Sequence, residues 1–325
     1  MDRVSIVIPT CNETETIEEC IESILQLQHY KNLEIVVVDA STDNTPYIIM
    51  EYAKKHPNIK LLKAEQKNTA AQRNQGIKAS TGTLIMNMSG HALLTEGTIE
   101  TLKELLDKQP PSIAGVGCCL MTPDSNIFSE RIIGNAFNTQ IGGMGSTDQY
   151  RTTNDKGEIV DSIAFVLYRK SILERFLFDT NFPVGQDAEL HYRMKKAGFK
   201  LVLTSKTYIL HHKRNSLKKF WQQMADCGFY RARIMKKHPA STRAVYFMPS
   251  AFLIIGTLLF LNLLLNRTFL NLLIFGIPTL LYCVSGFVSM FPESDMSITE
   301  SLIAPLYYFA IHGGYGWGFI NGIVR

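Results

Sequence analysis

The N-terminal part of the chain alternates short apolar runs with segments whose apolar residues recur at helical spacing. The first run, VSIVIPT at residues 4 to 10, is mostly β-branched and apolar, as expected of a strand buried on both faces. The segment that follows, residues 12 to 28, carries Ile17, Ile21 and Ile24 one turn apart. This spacing predicts an amphipathic helix.

The same alternation continues to about residue 89. Asn12 or Thr14 is the candidate N-cap of the first helix, since either side chain can accept from a free backbone N–H. Further strands are predicted at residues 33 to 41, 59 to 64 and 83 to 89, and helices at 45 to 57 and 70 to 80. Strict strand–helix alternation implies right-handed crossovers, and it predicts an α/β fold with a mainly parallel sheet covered on both faces.

Ligands of such sheets bind beyond the carboxyl ends of the strands. The residues placed there are Pro9 to Glu13, Asp39 to Asp43 and Ser89 to His91. The glycine-rich phosphate-binding fingerprints of P-loop and dinucleotide-binding proteins are absent after the first strand, which argues against an ATPase or a dehydrogenase.

Two charged side chains near these strand ends suit a nucleotide. Asp39 can accept from hydroxyl or N–H groups of a ribose or base, and Arg73 can neutralise a phosphate. Spacing alone leaves a second interpretation open, in which Asp39, Ser41 and Asp43 only cap the next helix.

Beyond residue 242 the pattern changes to long apolar stretches. Residues 244 to 265 and 269 to 291 contain no charged side chain, and each stretch is long enough to cross a bilayer as a helix. A third stretch, 301 to 324, is interrupted by His312 and several glycines, so it either spans the membrane or lies at its interface. We therefore divide the chain into a soluble domain, 1–242, and a membrane domain, 243–325.

Charge and cysteine content refine this organisation. The net charge of +4 is too small to indicate nucleic-acid binding, but basic residues concentrate before the first apolar stretch. By the positive-inside rule this places the soluble domain in the cytoplasm of a multi-pass protein of the cell membrane. The six cysteines have no CxxC spacing, which fits a reducing compartment.

Several segments, in order, resemble family 2 glycosyltransferases of the GT-A fold, and most of all the succinoglycan-biosynthesis type. They are VSIVIPTCNE, EIVVVDASTDNT, AAQRNQGIKASTG and GQDAELHYRMKKAGFK, and the likeness continues into HGGYGWGFINGI near the C-terminus. The resemblance covers almost the whole chain. It implies transfer of a sugar from a nucleotide-diphosphate donor, UDP- or GDP-linked, to an acceptor hydroxyl.

The resemblance also implies roles for individual residues. Those expected at the nucleotide-sugar site are Pro9, Thr10, Asn12, Glu13, Asp39, Ser41, Asp43, Arg73 and Ser89. Among these, Asp39 bonds the base or ribose, Asp43 supports its loop, and Arg73 lies near the base or diphosphate.

Asp187, in GQDAEL, matches the catalytic base of the family. An inverting transfer needs one carboxylate to take the acceptor's proton as its oxygen attacks the anomeric carbon. The pattern after Asp187 predicts a helix that begins there, so the same carboxylate can also cap that helix. The family usually has Glu before this Asp, whereas this chain has Gln186; the loss of that charge is expected to lower the pKa of Asp187.

The stretch LIMNMSGHALL, residues 84 to 94, departs from the family. Where relatives carry Asp-Ala-His-Ala at a cation site, this chain has Ser89-Gly90-His91-Ala92. Three interpretations remain. His91, helped by His211 or His212, binds a divalent cation such as Mn²⁺ or Mg²⁺, with His91 and His212 as the favoured pair. Alternatively, arginines replace the cation. In the third interpretation, the chain binds ligand without catalysis.

The arginines in question are Arg73, Arg231 and Arg233. Arg231 either covers the diphosphate or belongs to a basic helix at the lipid surface. The glycine-rich segment 142–151 is either a mobile loop over the donor or a linker. In SIAFVLYRK, residues 162 to 170, bulky side chains replace smaller ones of relatives, which leaves sugar and acceptor specificity open.

Together these features predict a membrane-anchored, inverting glycosyltransferase that acts on a lipid-linked or cell-surface glycan precursor. Two alternatives are a catalytically silent nucleotide- or glycan-binding subunit of a membrane assembly and a polyprenyl-phosphate monosaccharide synthase.

Overall fold

The structure is a computed structural model, and it describes residues 3–27, 32–143, 153, 157–290 and 296–325. Its contacts group the chain into two compact units. Unit 1 comprises Met1–Pro123 and Thr147–His212, and unit 2 comprises Asp124–Ser146 and Lys213–Arg325. The units therefore divide the chain differently from the boundary predicted at residue 242, because helices on both sides of that residue pack together in unit 2.

Unit 1 is built on a mixed sheet whose strand order is β3-β2-β1-β4-β8-β6-β9-β5, with β7 beside β9. The strands are β1 Val4–Thr10, β2 Leu33–Asp39, β3 Ile59–Lys63, β4 Leu84–Asn87, β5 Ala92–Leu94, β6 Ile113–Met121, β7 Glu158–Val160, β8 Val166–Arg169 and β9 Lys200–His211.

The first four strands are parallel, as the sequence predicts. The sheet as a whole is mixed, because β8 runs antiparallel to both β4 and β6, and β5 and β7 run antiparallel to β9. Parallel pairing, as predicted, joins β1 to β4 and also joins β6 to β9, and antiparallel strands lie between and beside these two groups. Pairing of β1 with β2 brings Thr10 opposite Asp39, so the carboxyl ends of these strands meet at one edge.

Helices cover both faces of this sheet. The helices of unit 1 are α1 Ile17–Leu25, α2 Thr45–Lys55, α3 Thr69–Ala79, α4 Thr98–Asp107, α7 Lys170–Phe176 and α8 Gln186–Lys196. One apolar core joins the sheet to α1, α2 and α4, and a second joins its other face to α3, α7 and α8. Gly76 lets α3 lie close to β1, because a Cβ there would stand 2.4 Å from a Val7 methyl.

Unit 2 is helical in the residues that the structure describes. Its helices are α5 Phe128–Asn138, α6 Gln140–Gly143, α9 Leu217–Lys237, α10 Met248–Leu265, α11 Phe269–Met290, α12 Ile298–Phe309 and α13 Tyr315–Val324. Two helical segments, Ala244–Leu265 and Phe269–Met290, are long and apolar enough to cross a membrane, and most of their side chains face outward.

The third apolar stretch, in contrast, packs inside unit 2. A π-helical turn, Ala310–Gly314, separates α12 from α13, and α13 lies along α9. A Cβ at Gly318 would stand 1.8 Å from the carbonyl oxygen of Ala225, and one at Gly322 would stand 2.4 Å from that of Phe229. Gly318 and Gly322 therefore lie on the surface that α9 contacts, as small residues do between closely packed helices, whereas Gly316 lies against the backbone of Pro249 in α10.

Candidate active site

The site lies at the edge of unit 1 where β1 and β2 end. Thr10 donates its hydroxyl to Asp39 Oδ1 at 2.7 Å, and Ser41 donates its hydroxyl to the same oxygen at 2.5 Å. The backbone N–H of Ser41 donates to Asp39 Oδ2 at 3.1 Å. A carboxylate offers about four acceptor positions, so Asp39 keeps acceptor capacity for a ligand.

The two loops that follow these strands are bonded to each other. Asn12 has a left-handed backbone with φ of 59°, which asparagine tolerates well, and its side-chain oxygen accepts from the Thr42 N–H at 2.9 Å. Its own N–H donates to the Ser41 hydroxyl at 2.7 Å. The prediction that Asn12 or Thr14 caps α1 is wrong: α1 begins after Thr16, because Asn12 is held by the neighbouring loop instead.

Asp43 ties the same loops to the start of α2. It accepts from the Thr14 hydroxyl at 2.5 Å and from both the N–H and the hydroxyl of Thr45. Desolvation works to raise the pKa of Asp43, but these hydrogen bonds outweigh it and hold the pKa below its usual value. Asp43 thus supports the loop and also bonds the first residue of α2. The two roles considered for it, support of the nucleotide loop and capping of the next helix, therefore involve the same contacts.

Gln72 is a member of the site that sequence reasoning missed. Its side-chain nitrogen donates to the backbone oxygens of Thr10 and Val38, both at 2.8 Å, from a buried position on α3. These bonds fix the helix that carries Arg73 against the ends of β1 and β2. The signal available in the sequence was only its position beside Arg73.

Arg73 and Asp187 form the ion pair at the centre of this site. Arg73 Nη1 lies 2.5 Å from Asp187 Oδ1, and the guanidinium packs over the ring of Phe178. As predicted, Asp187 falls at the beginning of a helix, since α8 starts at Gln186 after the left-handed Gly185. The two residues are 114 positions apart in the sequence, so no local sequence pattern predicts the ion pair.

Desolvation has the largest effect on the pKa of Asp187. Desolvation raises the pKa of Asp187 above its usual value, and the nearby Arg73 guanidinium opposes this rise. The loss of charge at Gln186 was expected to act in the opposite direction, so burial outweighs it. Among the described residues, the Nε of Arg73 is buried and has no hydrogen-bond partner. The guanidinium therefore keeps a donor for an anion.

A buried polar chain lies one helical turn beyond Asp187 and was also missed. Nε2 of His191 is 2.6 Å from the Tyr168 hydroxyl, and its Nδ1 is 3.0 Å from the Ser162 hydroxyl. Burial, together with the positive charges of Arg73 and Arg193, lowers the pKa of His191 to about 3. His191 is therefore neutral at physiological pH. Its spacing from Asp187, four residues on α8, was the available signal.

The end of β4 carries polar atoms that lack partners within the described part of the chain. Both side-chain polar atoms of Asn87 and the hydroxyl of Ser89 are buried without a hydrogen bond. Unpaired buried polar groups are costly in a folded protein, and they are frequently satisfied by a ligand or by water. Their position fits the role in ligand binding that resemblance implies for Ser89.

His91, just beyond β4, is oriented by Glu13. Nδ1 of His91 lies 2.9 Å from Glu13 Oε1, so Glu13 contacts the histidine from the loop after β1. Histidines that bind metals usually give their other ring nitrogen to a carboxylate in this way. The described residues contain no group of three or more His, Cys, Asp or Glu side chains arranged to hold a metal ion. Within this part of the chain, a cation at His91 would have to take its remaining ligands from a bound diphosphate or from water.

The second predicted ligand, His212, faces elsewhere. Its Nε2 lies 3.2 Å from Glu19, whereas the ring of His211 meets the His91 ring edge-on at a centroid distance of 4.9 Å. Adjacent residues on a strand point to opposite faces, so only one of this pair can approach His91. The histidine beside His91 is thus His211 and not the favoured His212. Phe165 packs on His211 from the other side, at 5.6 Å.

The remaining predicted residues lie on α9, α6 and β1. Arg231 belongs to unit 2, where its guanidinium lies 4.7 Å from the centre of the Tyr246 ring. Arg233 lies over Phe229 in the same unit. Of the predicted loop 142–151, only Gly142 and Gly143 are among the described residues, at the end of α6. Pro9 is buried in β1, next to Thr10.

A comparison with known protein families matches residues 5–177, more than half of the chain, to "Glycosyl transferase family 2". The chain belongs to this family. The match includes both strand ends, Arg73 and His91, and the protein is accordingly a glycosyltransferase with the GT-A fold predicted from the sequence.

Individual relatives agree with this assignment. The glycosyltransferase is 27% identical over its whole length to a dolichyl N-acetyl-α-D-glucosaminyl phosphate 3-β-D-2,3-diacetamido-2,3-dideoxy-β-D-glucuronosyltransferase of Methanococcus voltae, of which it covers 98%. It is also 27% identical to the succinoglycan biosynthesis protein ExoA of Rhizobium meliloti, over 76% of this chain and 74% of ExoA. The family is thus confirmed, whereas the succinoglycan subgroup is one similarity among several.

Among solved structures, the mannosyltransferase PcManGT of Pyrobaculum calidifontis, in complex with GDP-Man and Mn²⁺, has a similar fold. The TM-score is 0.61 at 18% identity, over 97% of this chain and 87% of PcManGT. At this identity the likeness confirms the fold.

Proposed function

We propose that this protein is a membrane-anchored, inverting glycosyltransferase that moves a sugar from a nucleotide-diphosphate donor to a lipid-linked or cell-surface glycan precursor. The observation that carries the proposal is the Arg73–Asp187 ion pair, in which Arg73 is buried and Asp187 is partly buried, in the unit whose strand ends hold Asp39. Such a transfer requires a carboxylate that accepts the proton of the acceptor and a positive group that binds the phosphate, and Asp187 and Arg73 supply both within one unit.

Asp187 is the proposed base. As the acceptor hydroxyl attacks the anomeric carbon, its proton passes to a carboxylate oxygen of Asp187, and the bond from the anomeric carbon to the diphosphate breaks on the opposite face. A raised pKa makes the Asp187 carboxylate a stronger proton acceptor, and the Arg73 guanidinium opposes the rise because it favours the ionised carboxylate.

The leaving diphosphate gains negative charge, which Arg73 is positioned to meet through its unpaired Nε–H. His91, oriented by Glu13, is the residue we propose for a divalent cation, with diphosphate oxygens as its other ligands. Such a cation, when bound, would neutralise the diphosphate. The unpaired side chains of Asn87 and Ser89 lie at the same strand end and are available to hydrogen-bond the donor.

The nucleotide is assigned to the ends of β1 and β2. Asp39 can accept a hydrogen bond from a base N–H or a ribose hydroxyl. Hydrogen bonds of Asn12 and Asp43 hold the loops around it in place. The relative of known structure binds GDP-Man. We propose a UDP- or GDP-sugar as donor for this chain.

Two features support a lipid-linked acceptor at a membrane. The helices at Ala244–Leu265 and Phe269–Met290 present apolar side chains outward, and the Methanococcus relative is named for a dolichyl phosphate-linked acceptor. An enzyme anchored in the bilayer meets a lipid-linked acceptor at a high effective concentration. The basic residues before the first span orient unit 1 toward the cytoplasm.

The test is transfer by the full chain in membranes. Radiolabelled UDP- and GDP-sugars are supplied with lipid extracts, and label is followed into the lipid or glycan fraction. We expect transfer from one donor class with inversion at the anomeric carbon. Absence of transfer from every donor, with nucleotide binding intact by calorimetry, would contradict the proposal. A product cleaved by mild acid at its sugar–phosphate bond would identify a polyprenyl-phosphate monosaccharide synthase instead.

A further inference from the structure

Unit 2 contains a cavity of about 280 Å³ between α9 and α13. Aromatic and polar side chains from both helices line it, among them Trp221, Gln222, Asp226, Phe229, Trp317 and Asn321. The chain contains two tryptophans, and both line this cavity. None of these residues takes part in the proposed transfer chemistry.

Close helix packing holds the two indoles in place. Gly318 sits against the backbone of Ala225, so α9 and α13 approach each other too closely for a side chain between them. Trp221 is backed by the ring of Phe309, at a centroid distance of 5.8 Å. Trp317 is 55% exposed, so an indole borders the opening of the cavity.

The polar side chains leave acceptors for a ligand. Gln222 donates its amide to Asp226 Oδ1 at 2.9 Å, and Asn321 donates its amide to the backbone oxygen of Trp317 at 2.9 Å. Within the described residues, the second carboxylate oxygen of Asp226 and the amide oxygen of Asn321 form no hydrogen bond. A hydroxyl group can donate to either of them.

Charge and polarity point to one class of ligand. The lining contains one carboxylate, Asp226, and one guanidinium, Arg325, so its net charge selects neither an anion nor a cation. A purely apolar chain would bury Asp226 and the amides of Gln222 and Asn321 without compensation, which is costly. A sugar ring offers apolar faces for indoles and hydroxyls for carboxylate and amide groups, and mixed pockets of this kind suit such a ligand.

We propose that this cavity binds the uncharged glycan portion of the acceptor, as a site additional to the transfer site in unit 1. The inference rests on the proposed function for the acceptor class. It assigns Trp221 and Trp317 to the faces of a sugar residue, and Asp226 and Asn321 to its hydroxyls.

Intrinsic fluorescence tests the inference directly, because every tryptophan of the chain lies in the cavity. The full-length protein in phosphatidylcholine nanodiscs is titrated with cellotriose, mannotriose and chitotriose as soluble glycan probes. We expect a saturable change in emission with at least one probe. Gln222→Ala should weaken that binding roughly tenfold, since it frees Asp226 from its fixed position.

Gln223→Ala is the matched control, because Gln223 is the adjacent residue of α9 and does not line the cavity. Its affinity should equal that of the wild type. The inference is overturned if no probe gives a saturable change or if both variants lose affinity equally. Since the titration needs no donor, its result is independent of whether transfer is observed.

Discussion

At the residue scale, the Arg73–Asp187 pair determines how basic the proposed catalytic carboxylate is. Burial and an adjacent guanidinium act on the pKa of Asp187 in opposite directions, and burial dominates. The two residues are distant in sequence, so the motif around Asp187 could indicate a base but not its partner. His191 and Gln72 were missed for the same reason, because long-range hydrogen bonds leave no periodic signal.

Removing the guanidinium should shift the acidic limb of the pH–rate profile. In Arg73→Gln the opposition to burial is lost, so the pKa of Asp187 rises further and the ionised base appears only at higher pH. We expect the acidic limb of the kcat/KM profile to move to higher pH. Arg175→Gln, which removes a guanidinium stacked on Phe199, is the control. A uniform loss of rate without movement of the limb would contradict this assignment.

A second prediction at this scale concerns Mn²⁺. Glu13 contacts His91, but the described residues contain no group of three possible metal ligands around it, so the free protein should bind Mn²⁺ weakly. Calorimetry should show binding that is roughly tenfold tighter or more when UDP or GDP is present, and this gain should be lost in His91→Ala. His56→Ala, at the end of α2, should behave as the wild type. Equally tight binding without nucleotide would refute a site completed by the diphosphate.

At the scale of elements, the apolar pattern located β1 to β4 and the helices around them, because strands buried on both faces form continuous apolar runs and the helices have a helical period. It was less informative for the segment 301–324, where glycines looked like interruptions. In the structure Gly318 and Gly322 lie in the contact with α9, and Gly313 and Gly314 belong to the π-helical turn. The sequence shows that glycines are present, but it does not show which helix packs against them, because that contact forms only in the tertiary structure.

This packing predicts different costs for two glycine substitutions. Gly318→Ala brings a methyl group against the Ala225 carbonyl, and we expect a loss of about 1–3 kcal/mol in unfolding free energy. Gly256→Ala, in α10, has no heavy atom within 4 Å of the added Cβ and should be neutral or mildly stabilising. Thermal unfolding in nanodiscs measures both. Equal midpoints for the two variants would mean that α13 does not pack on α9 as described.

At the scale of the whole molecule, the chain combines a nucleotide-binding unit with a helical unit that carries two outward-facing apolar helices. Sequence length and hydropathy indicated these helices, but the division between units was not readable from composition. Residues 124–146 belong to the C-terminal unit because Arg131 forms an ion pair with Glu300 and Ser129 forms a hydrogen bond with Tyr307. Both contacts join α5 to α12.

If both apolar helices cross the bilayer, their short connection emerges on the side opposite unit 1. We expect Arg267→Cys, in a chain whose native cysteines are replaced, to react with a membrane-impermeant thiol reagent from that side only. A cysteine at Lys54, on α2 of unit 1, should react from the other side and serves as the control. Labelling of both positions from one side would place the hairpin at the membrane surface.

The most direct test of the central claim is sugar transfer by Asp187→Asn. The substitution keeps the shape of the side chain but removes its ability to accept the acceptor's proton. We predict that transfer falls about 100-fold or more while UDP or GDP binding is retained. Asp161→Asn, which removes a surface partner of Lys195, should transfer as the wild type. Transfer by Asp187→Asn at the wild-type rate would show that Asp187 is not the base.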